Sequence, residues 1–215
     1  MDEIIAKLSS AFKSPLPGWN AQKRLINYDR PPPDNISNID PTARQSAVLT
    51  LLYPKNGELY TVLMLRNVYE GTHSGQVSFP GGKRELEDKS LWQTALREAN
   101  EEVGINEQSV FLIGELTKVY IPPSRFLVTP FLAYAKEAPI FKRDRIEVQR
   151  IIETPVSVFL NAAAIREKML FVSSMNTEIP VKYYEVNGEI VWGATAMMLS
   201  ELSEILNKSQ IHNLE

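Results

Sequence analysis

The order of apolar and polar positions along the chain marks out most of its elements. Residues 46–53 and 59–66 are apolar runs separated by Lys55-Asn56-Gly57-Glu58. Asn-Gly between two such runs signals a tight hairpin, because both residues tolerate positive φ. A second hairpin is written as Val181-Lys182-Tyr183-Tyr184-Glu185-Val186, then Asn187-Gly188, then Glu189-Ile190-Val191-Trp192. Between the hairpins, residues 109–120 and 126–135 are expected to be strands, with Pro122-Pro123 breaking the chain between them. Pro130 has no N–H to give to a ladder and predicts an edge or a bulge at its position. Residues 155–166 fit a strand and a short helix equally well.

Helical spacing shows in three places. Ile4, Ile5, Leu8 and Phe12 share one face of a helix over residues 1–13. Trp92, Leu96, Ala99 and Val103 form a second stripe on a helix that ends at Gly104, and residues 195–207, with Met197, Met198, Leu199, Leu202, Ile205 and Leu206, form the closing helix. From Ser14 to Pro41 the periodicity fades and prolines take over, including Pro31-Pro32-Pro33. This stretch is expected to be an extended arm, laid over its own domain or over a second subunit, so a homodimer and a self-wrapped monomer both stay open. Strands with one central and one terminal helix imply an α/β protein with helices on both faces of a mixed sheet. There is no internal repeat and no low-complexity segment.

The polar side of the central helix carries the candidate chemistry. Glu98, Glu101 and Glu102 are spaced three and four apart, so their carboxylates are neighbours. Such like-charge pairs cost a few tenths of a kcal/mol each, and anions in a last helical turn cost about 0.3–1 kcal/mol more. A hard divalent cation that prefers oxygen ligands would offset both, and Arg97 can orient one carboxylate through a bidentate contact. The alternative is a solvated acidic face on a surface helix. Upstream, Gly81-Gly82 leaves backbone groups free to approach a ligand closely, and Asp88 is expected to be the helix N-cap.

Composition narrows the field. With 215 residues, 44% of them hydrophobic and 23% charged, the chain suits one well-cored soluble domain with an appendage. A formal net charge of −3 gives no reason to expect nucleic-acid binding, and an acidic protein acting on a phosphorylated substrate needs positive charge from a bound metal. With no cysteine there is no disulfide framework, no thiolate nucleophile and no cysteine zinc site. No apolar run approaches the ~18 residues of a membrane span. The start, Met1-Asp2-Glu3-Ile4-Ile5-Ala6-Lys7-Leu8, is acidic and amphipathic, unlike a secretory signal. The expectation is a cytoplasmic protein with neither a nucleic acid nor a membrane as partner.

The run Arg97-Glu98-Ala99-Asn100-Glu101-Glu102-Val103-Gly104-Ile105 resembles the second half of the Nudix hydrolase box, Arg-Glu-apolar-x-Glu-Glu-x-Gly-apolar, at every fixed position. The first half departs: counting back from Arg97 puts the box glycine on Lys83, and the upstream acid is Asp88 instead of Glu. One inserted residue between the glycines and the helix accounts for both. Upstream, Arg66, His73, Gly75, Gln76, Val77, Phe79, Pro80, Gly81 and Gly82 resemble the extra signature of the coenzyme A diphosphatase branch, except that Gly71 stands where a second Arg is usual. Val128-Thr129-Pro130, Glu147-Val148 with Thr154-Pro155-Val156, and residues 190–196 resemble the same branch.

The resemblance implies an α/β/α sandwich over residues 45–208, with a helix and proline-rich arm over 1–44 and a tail over 209–215. It implies hydrolysis of coenzyme A or a derivative to 3′,5′-ADP and 4′-phosphopantetheine, with Mg2+ or Mn2+ held by Glu98, Glu101, Glu102, the Gly81 carbonyl and Glu147. Glu98 is the candidate base and Arg97 the orienter of carboxylates. Arg66, His73, Gly75 and Gln76 are candidate substrate contacts. Two alternatives remain: a Nudix diphosphatase for ADP-ribose, a dinucleotide or a nucleoside triphosphate, to which Gly71 points, and a regulatory Nudix domain that binds without catalysis.

Overall fold

The computed structural model describes residues 1–26, 40–68, 73–172 and 177–211. Residues 27–39 of the proline-rich arm, Gly71 and the last four residues lie outside the described residues, and residues 19–25 of that arm are helical where an extended chain was expected. The first expected hairpin forms from β1 (Arg44–Lys55) and β2 (Glu58–Arg66), with Asn56 and Gly57 at φ 53° and 79° in the turn. Both positive angles are those of the two-residue turn that matches strand twist.

β1 and β2 pair only near that turn, from Leu52 opposite Thr61 to Lys55 opposite Glu58. Beyond it they part, and β3 (Val77–Ser78) and β4 (Gly81–Lys83) fill the gap. Ser78 lies opposite Met64 of β2, and Gly81 opposite Val48 of β1. The other sides of Met64 and Val48 are already occupied by Ile151 and Pro130, so residues 77–83 must lie inside the split. This wedge carries the double glycine into the middle of the sheet.

β7 (Phe126–Tyr134) runs parallel to β1, and β8 (Val148–Pro155) runs antiparallel along the far side of β2. The single strand expected over 109–120 is two, β5 (Phe111–Glu115) and β6 (Val119–Ile121), paired end to end along β7. Pro130 is therefore on an interior strand and not at an edge. Its carbonyl accepts from Leu116 N at 2.8 Å, in the seam between β5 and β6, where a missing N–H breaks no ladder.

The expected layering is present. Ala47, Leu49, Leu51 and Tyr53 of β1 join one core with Ala95, Ala99 and Val103 of α3 (Leu91–Val103), whereas Leu52, Leu63 and Leu132 join a second core with α5 (Gly193–Lys208). A strand buried on both faces between helices is the signature of a three-layer α/β fold. Within α3 the buried stripe is turned from expectation: Ala95 is fully buried, while Trp92 and Leu96 are half-buried at its flank.

The helix α1 (Asp2–Ala11) buries Ile4 and Leu8 in the second core, beside the short α2 (Trp19–Gln22). The ambiguous residues 155–166 finish β8 and then form α4 (Ser157–Leu160) and a 3-10 turn. A small second sheet follows, in which β10 (Thr177–Val186) lies between β9 (Arg166–Val172) and β11 (Glu189–Trp192), and β11 leads directly into α5.

Candidate active site

The start of α3 is built by Ser90, not by Asp88 as expected: Ser90 Oγ accepts from Gln93 N at 3.2 Å. Asp88 is buried and does something else. Its carboxylate accepts from Arg97 Nε and Nη2, both at 3.0 Å, from Thr94 Oγ1 at 2.9 Å and from Glu85 N at 2.9 Å. The Arg97 guanidinium holds its pKa down at about 2.

So anchored, Arg97 reaches Glu101 Oε2 at 3.0 Å, Glu98 Oε1 at 3.1 Å and the Lys83 carbonyl at 3.1 Å. Arg97 thus orients carboxylates, with Asp88 as its fixed base. The repulsion expected along the helix is partly offset within the protein itself. At the other end, Gly104 adopts φ 73° and Ile105 N returns to Ala99 O at 3.4 Å, which stops α3 one residue after its last carboxylates.

The three box glutamates differ in surroundings. Glu101 is exposed beside Arg97, Glu98 is mostly covered, and Glu102 is almost wholly buried, with 2% of its side chain exposed. Glu102 accepts from Arg66 Nη1 at 3.0 Å and from Gly81 N at 2.8 Å. Its pKa is nevertheless pushed up to about 8: burial dominates, Arg66 and Gly81 oppose it, and Glu98 and Glu147 add to it. Glu98 is also raised, chiefly by burial, with Arg97 opposing and Glu101 and Glu147 adding.

Gly81 and Gly82 permit this closeness. A Cβ on Gly82 would sit 2.4 Å from Glu98 Cδ, and one on Gly81 would sit 2.3 Å from the Ala47 carbonyl. Glu147 is brought to the same place from β8. Asn67 ties down the preceding loop through the carbonyls of Arg145, Ile146 and Glu147, leaving Glu147 Oε2 4.0 Å from Arg66 Nη2. Among the described residues no group of three His, Cys, Asp or Glu side chains is positioned to share one ion.

A cavity of about 450 Å³ opens beside this cluster. None of Glu98, Glu101, Glu102 and Glu147 lines it; Arg66, Gly81 and Gly82 do, and they touch the carboxylates from its wall. His73 and Gln76 line it too, whereas Gly75 shapes the turn between them at φ 65°. His73 Nδ1 meets Gln76 Oε1 at 3.2 Å and its Nε2 meets Ser124 Oγ at 3.0 Å. Burial lowers the His73 pKa, so the neutral ring, donating to Gln76 and accepting from Ser124, is the fitting form. Arg66, expected to face substrate, lines the cavity while its Nη1 is held by Glu102.

Sequence reasoning missed Ser124, Lys83 and the anchoring role of Asp88. Lys83 lines the cavity, and its position one residue after the glycines was a visible signal. Ser124 sits in a proline turn far along the chain, and nothing local marks it.

A three-layer α/β fold here sets clustered, partly desolvated carboxylates against a glycine wedge, the kind of environment in which functional sites are found. The NUDIX domain model matches residues 43–151. Among curated relatives, an uncharacterized Nudix hydrolase, NudL, of Photorhabdus laumondii is 34% identical over 176 residues, 81% of this chain and 89% of its own length. NudL of Yersinia pestis is 31% identical over 179 residues, 81% and 87% of the two chains. Among solved structures, the Nudix hydrolase RenU of M. smegmatis superposes with a TM-score of 0.53 at 17% identity, over 77% of this chain and 87% of that one. The chain belongs to the Nudix hydrolase family. It is a hydrolase, and enzymes of this family generally use divalent metal ions. Among the described residues no helix is long and apolar enough to cross a membrane.

Proposed function

We propose that residues 45–208 form a metal-dependent diphosphatase that cleaves coenzyme A or an acyl derivative to 3′,5′-ADP and 4′-phosphopantetheine or its acyl form. The observation that carries the hydrolytic part is Glu102, buried beside Glu98 and held by Arg66 and Gly81 at the wall of the cavity. Coenzyme A itself rests on the Arg66 to Gly82 signature in the sequence.

The donor set suits Mg2+ or Mn2+: carboxylate oxygens from Glu98, Glu101, Glu102 and Glu147 and the Gly81 carbonyl are hard ligands. Glu147 adds to the proton affinity of both Glu98 and Glu102, and Glu98 adds to that of Glu102, which is the electrostatic demand a divalent cation meets. Bound there, the ion would lower the pKa of a water and offset charge on the phosphoryl oxygens. Glu98, whose pKa is raised by burial, takes the proton of the attacking water. Arg97, locked by Asp88, keeps Glu98 and Glu101 oriented, and Arg66 holds Glu102 in place. His73 and Gln76 contact the substrate from the cavity wall, with Gly75 setting their turn. The water oxygen bonds to one phosphorus as that phosphorus loses the bridging oxygen, which leaves on the other phosphate and takes up a proton.

The test is product chromatography after incubation with coenzyme A, ADP-ribose or a dinucleotide, with Mg2+, Mn2+ or chelator. Metal-dependent release of 3′,5′-ADP from coenzyme A supports this reading. Turnover of ADP-ribose or a dinucleotide alone, with coenzyme A untouched, overturns it in favour of another nucleoside diphosphate derivative. Gly71, where the signature has Arg, would then be the position to change.

A further inference from the structure

His73 stands in the middle of a short hydrogen-bonded chain, with Ser124 Oγ at 3.0 Å from its Nε2 and Gln76 Oε1 at 3.2 Å from its Nδ1. A neutral imidazole carries one N–H, so the chain can run in two directions. If Nδ1 holds the proton, Ser124 donates to Nε2 and His73 donates to Gln76 Oε1. If Nε2 holds it, Ser124 accepts, and the Gln76 amide must turn over to donate to Nδ1. The two arrangements share one shape and differ in where the protons lie.

Ser124 breaks the tie. It is buried, and among the described residues His73 is the only hydrogen-bond partner of its hydroxyl. Were the ring to donate, the Ser124 proton would be left without an acceptor in the interior, which makes that direction the costlier one. The turn that carries Ser124 is also firmly held. Pro122 and Pro123 stiffen it, Arg44 Nη2 donates to the Ser124 carbonyl at 2.6 Å, and Arg44 N donates to the Arg125 carbonyl at 2.8 Å. Arg125, at φ 53°, donates in turn to the Asp40 carboxylate through Nε at 3.0 Å and Nη2 at 2.9 Å, and Tyr120 donates to the same carboxylate at 2.6 Å. Burial keeps the ring neutral by lowering its pKa.

The consequence lies at the other end of the chain. With Oε1 taken by His73, Gln76 directs Nε2 away from the ring, and among the described residues no acceptor meets that nitrogen. Gln76 lines the cavity, as do the cationic Arg66 and Lys83. N–H donors added to such a wall suit phosphoryl oxygens, which only accept; a turned-over amide would set its own oxygen against them.

We propose that Ser124 is a positioning residue whose hydroxyl sets the direction of the Ser124–His73–Gln76 chain, so that Gln76 presents N–H donors to phosphoryl oxygens of the substrate. What those donors bind rests on the diphosphatase reading, whereas the direction of the chain does not.

The test uses the full chain with isotopically labelled histidine, whose ring nitrogens report the tautomer by NMR. The sequence has two histidines, and His212→Gln assigns the signals. The parent should show His73 protonated on Nδ1 at neutral pH. Ser124→Ala should let the Nε2-protonated form appear, and Ser124→Thr, which keeps a hydroxyl, should restore the parent spectrum. In hydrolysis of coenzyme A with Mn2+, Ser124→Ala should raise KM at least ~3-fold with kcat within ~2-fold, and Ser124→Thr should recover. A serine that only supports the fold would change stability without moving the tautomer. A parent ring protonated on Nε2, or a Ser124→Ala ring that keeps the parent tautomer, overturns the proposal. A tautomer that moves while KM stays put overturns the role of Gln76 toward substrate. If coenzyme A is not cleaved, the diphosphatase reading fails, and the spectra still decide what Ser124 does.

Discussion

Glu102 and Glu201 are both withdrawn from water, and burial raises the pKa of both, yet their surroundings are opposite. Glu201, on α5, is held by neutral donors from elsewhere in the chain: Gln22 Nε2 at 2.8 Å, Thr117 Oγ1 at 2.7 Å and Thr117 N at 3.2 Å. It fastens α2 and the loop before β6 onto the closing helix. Glu102 has a cation and a backbone N–H, but also two further acids close enough to raise its proton affinity. A buried acid among neutral donors is a structural fastening, whereas one whose neighbours include other acids carries an electrostatic cost that added positive charge would relieve.

The largest effect that should separate the two regions is on turnover. Glu102→Gln should lower kcat/KM by at least ~10²-fold with Mg2+ or Mn2+. The amide can still accept from Gly81 N, and it is the neutral isostere of the acid form that burial favours, so without metal near neutral pH the variant should be no less stable than the parent. A Glu102→Gln enzyme with normal metal-dependent turnover would sink the metal assignment.

Glu201→Ala should do the reverse. It removes the shared acceptor of Gln22 Nε2, which keeps only the Thr117 carbonyl, and of both Thr117 donors, and urea denaturation should show a loss of ~2–4 kcal/mol. Turnover per folded molecule should stay within ~2-fold of the parent; a selective loss of activity would mean that the fastening also serves the site.

Gly82→Ala sharpens the same contrast by a single methyl group. Its Cβ meets the end of a flexible side chain, the Glu98 carboxylate, so the fold should tolerate it to within ~1 kcal/mol. Moving that carboxylate should cost about tenfold in metal affinity, read by isothermal titration. Unchanged affinity would remove Glu98 from the ligand set.

The remaining contrast is a pH slope. Glu102 has a folded pKa of about 8 against an ordinary value of 4.5, so the folded protein holds the proton more tightly than the unfolded chain. Its contribution is fully present below pH about 4.5 and is lost as the pH rises to about 8. The slope is no more than ~1.4 kcal/mol per pH unit. Metal-free thermal scans should show this decline, and Glu102→Gln should flatten it. Saturating metal, which competes with the proton, should flatten it too.

Much of this was legible because the signals are local. Asn56-Gly57 and Asn187-Gly188 dictate their own turns, apolar alternation places β1, β2 and β7, and Gly104 stops α3. The box glutamates were visible for the same reason: spacing along one helix is a sequence property. The strands β8 and β9 were not, because Gln149, Arg150 and Glu153 in one and Arg166, Glu167 and Lys168 in the other interrupt the alternation. Asp88 was misassigned because a carboxylate just ahead of a helix reads as a cap, whereas the guanidinium that claims it arrives from nearly two turns into that helix.

By itself, then, the sequence determined the family, the carboxylate-bearing helix and the glycine pair, all of which depend on residues near one another along the chain. Only the tertiary structure decided which glutamate is buried, that Arg66 serves Glu102, that Ser124 meets His73, and that Val172, Ile179 and Trp192 of the second sheet line the cavity. Each of these joins elements far apart in sequence. The splitting of β1 from β2 by residues 77–83 sets several of them at once, because it brings the double glycine under α3 and the residues before it toward the second sheet. Desolvation and pairing depend on what surrounds an atom in space, and no spacing along the chain encodes that.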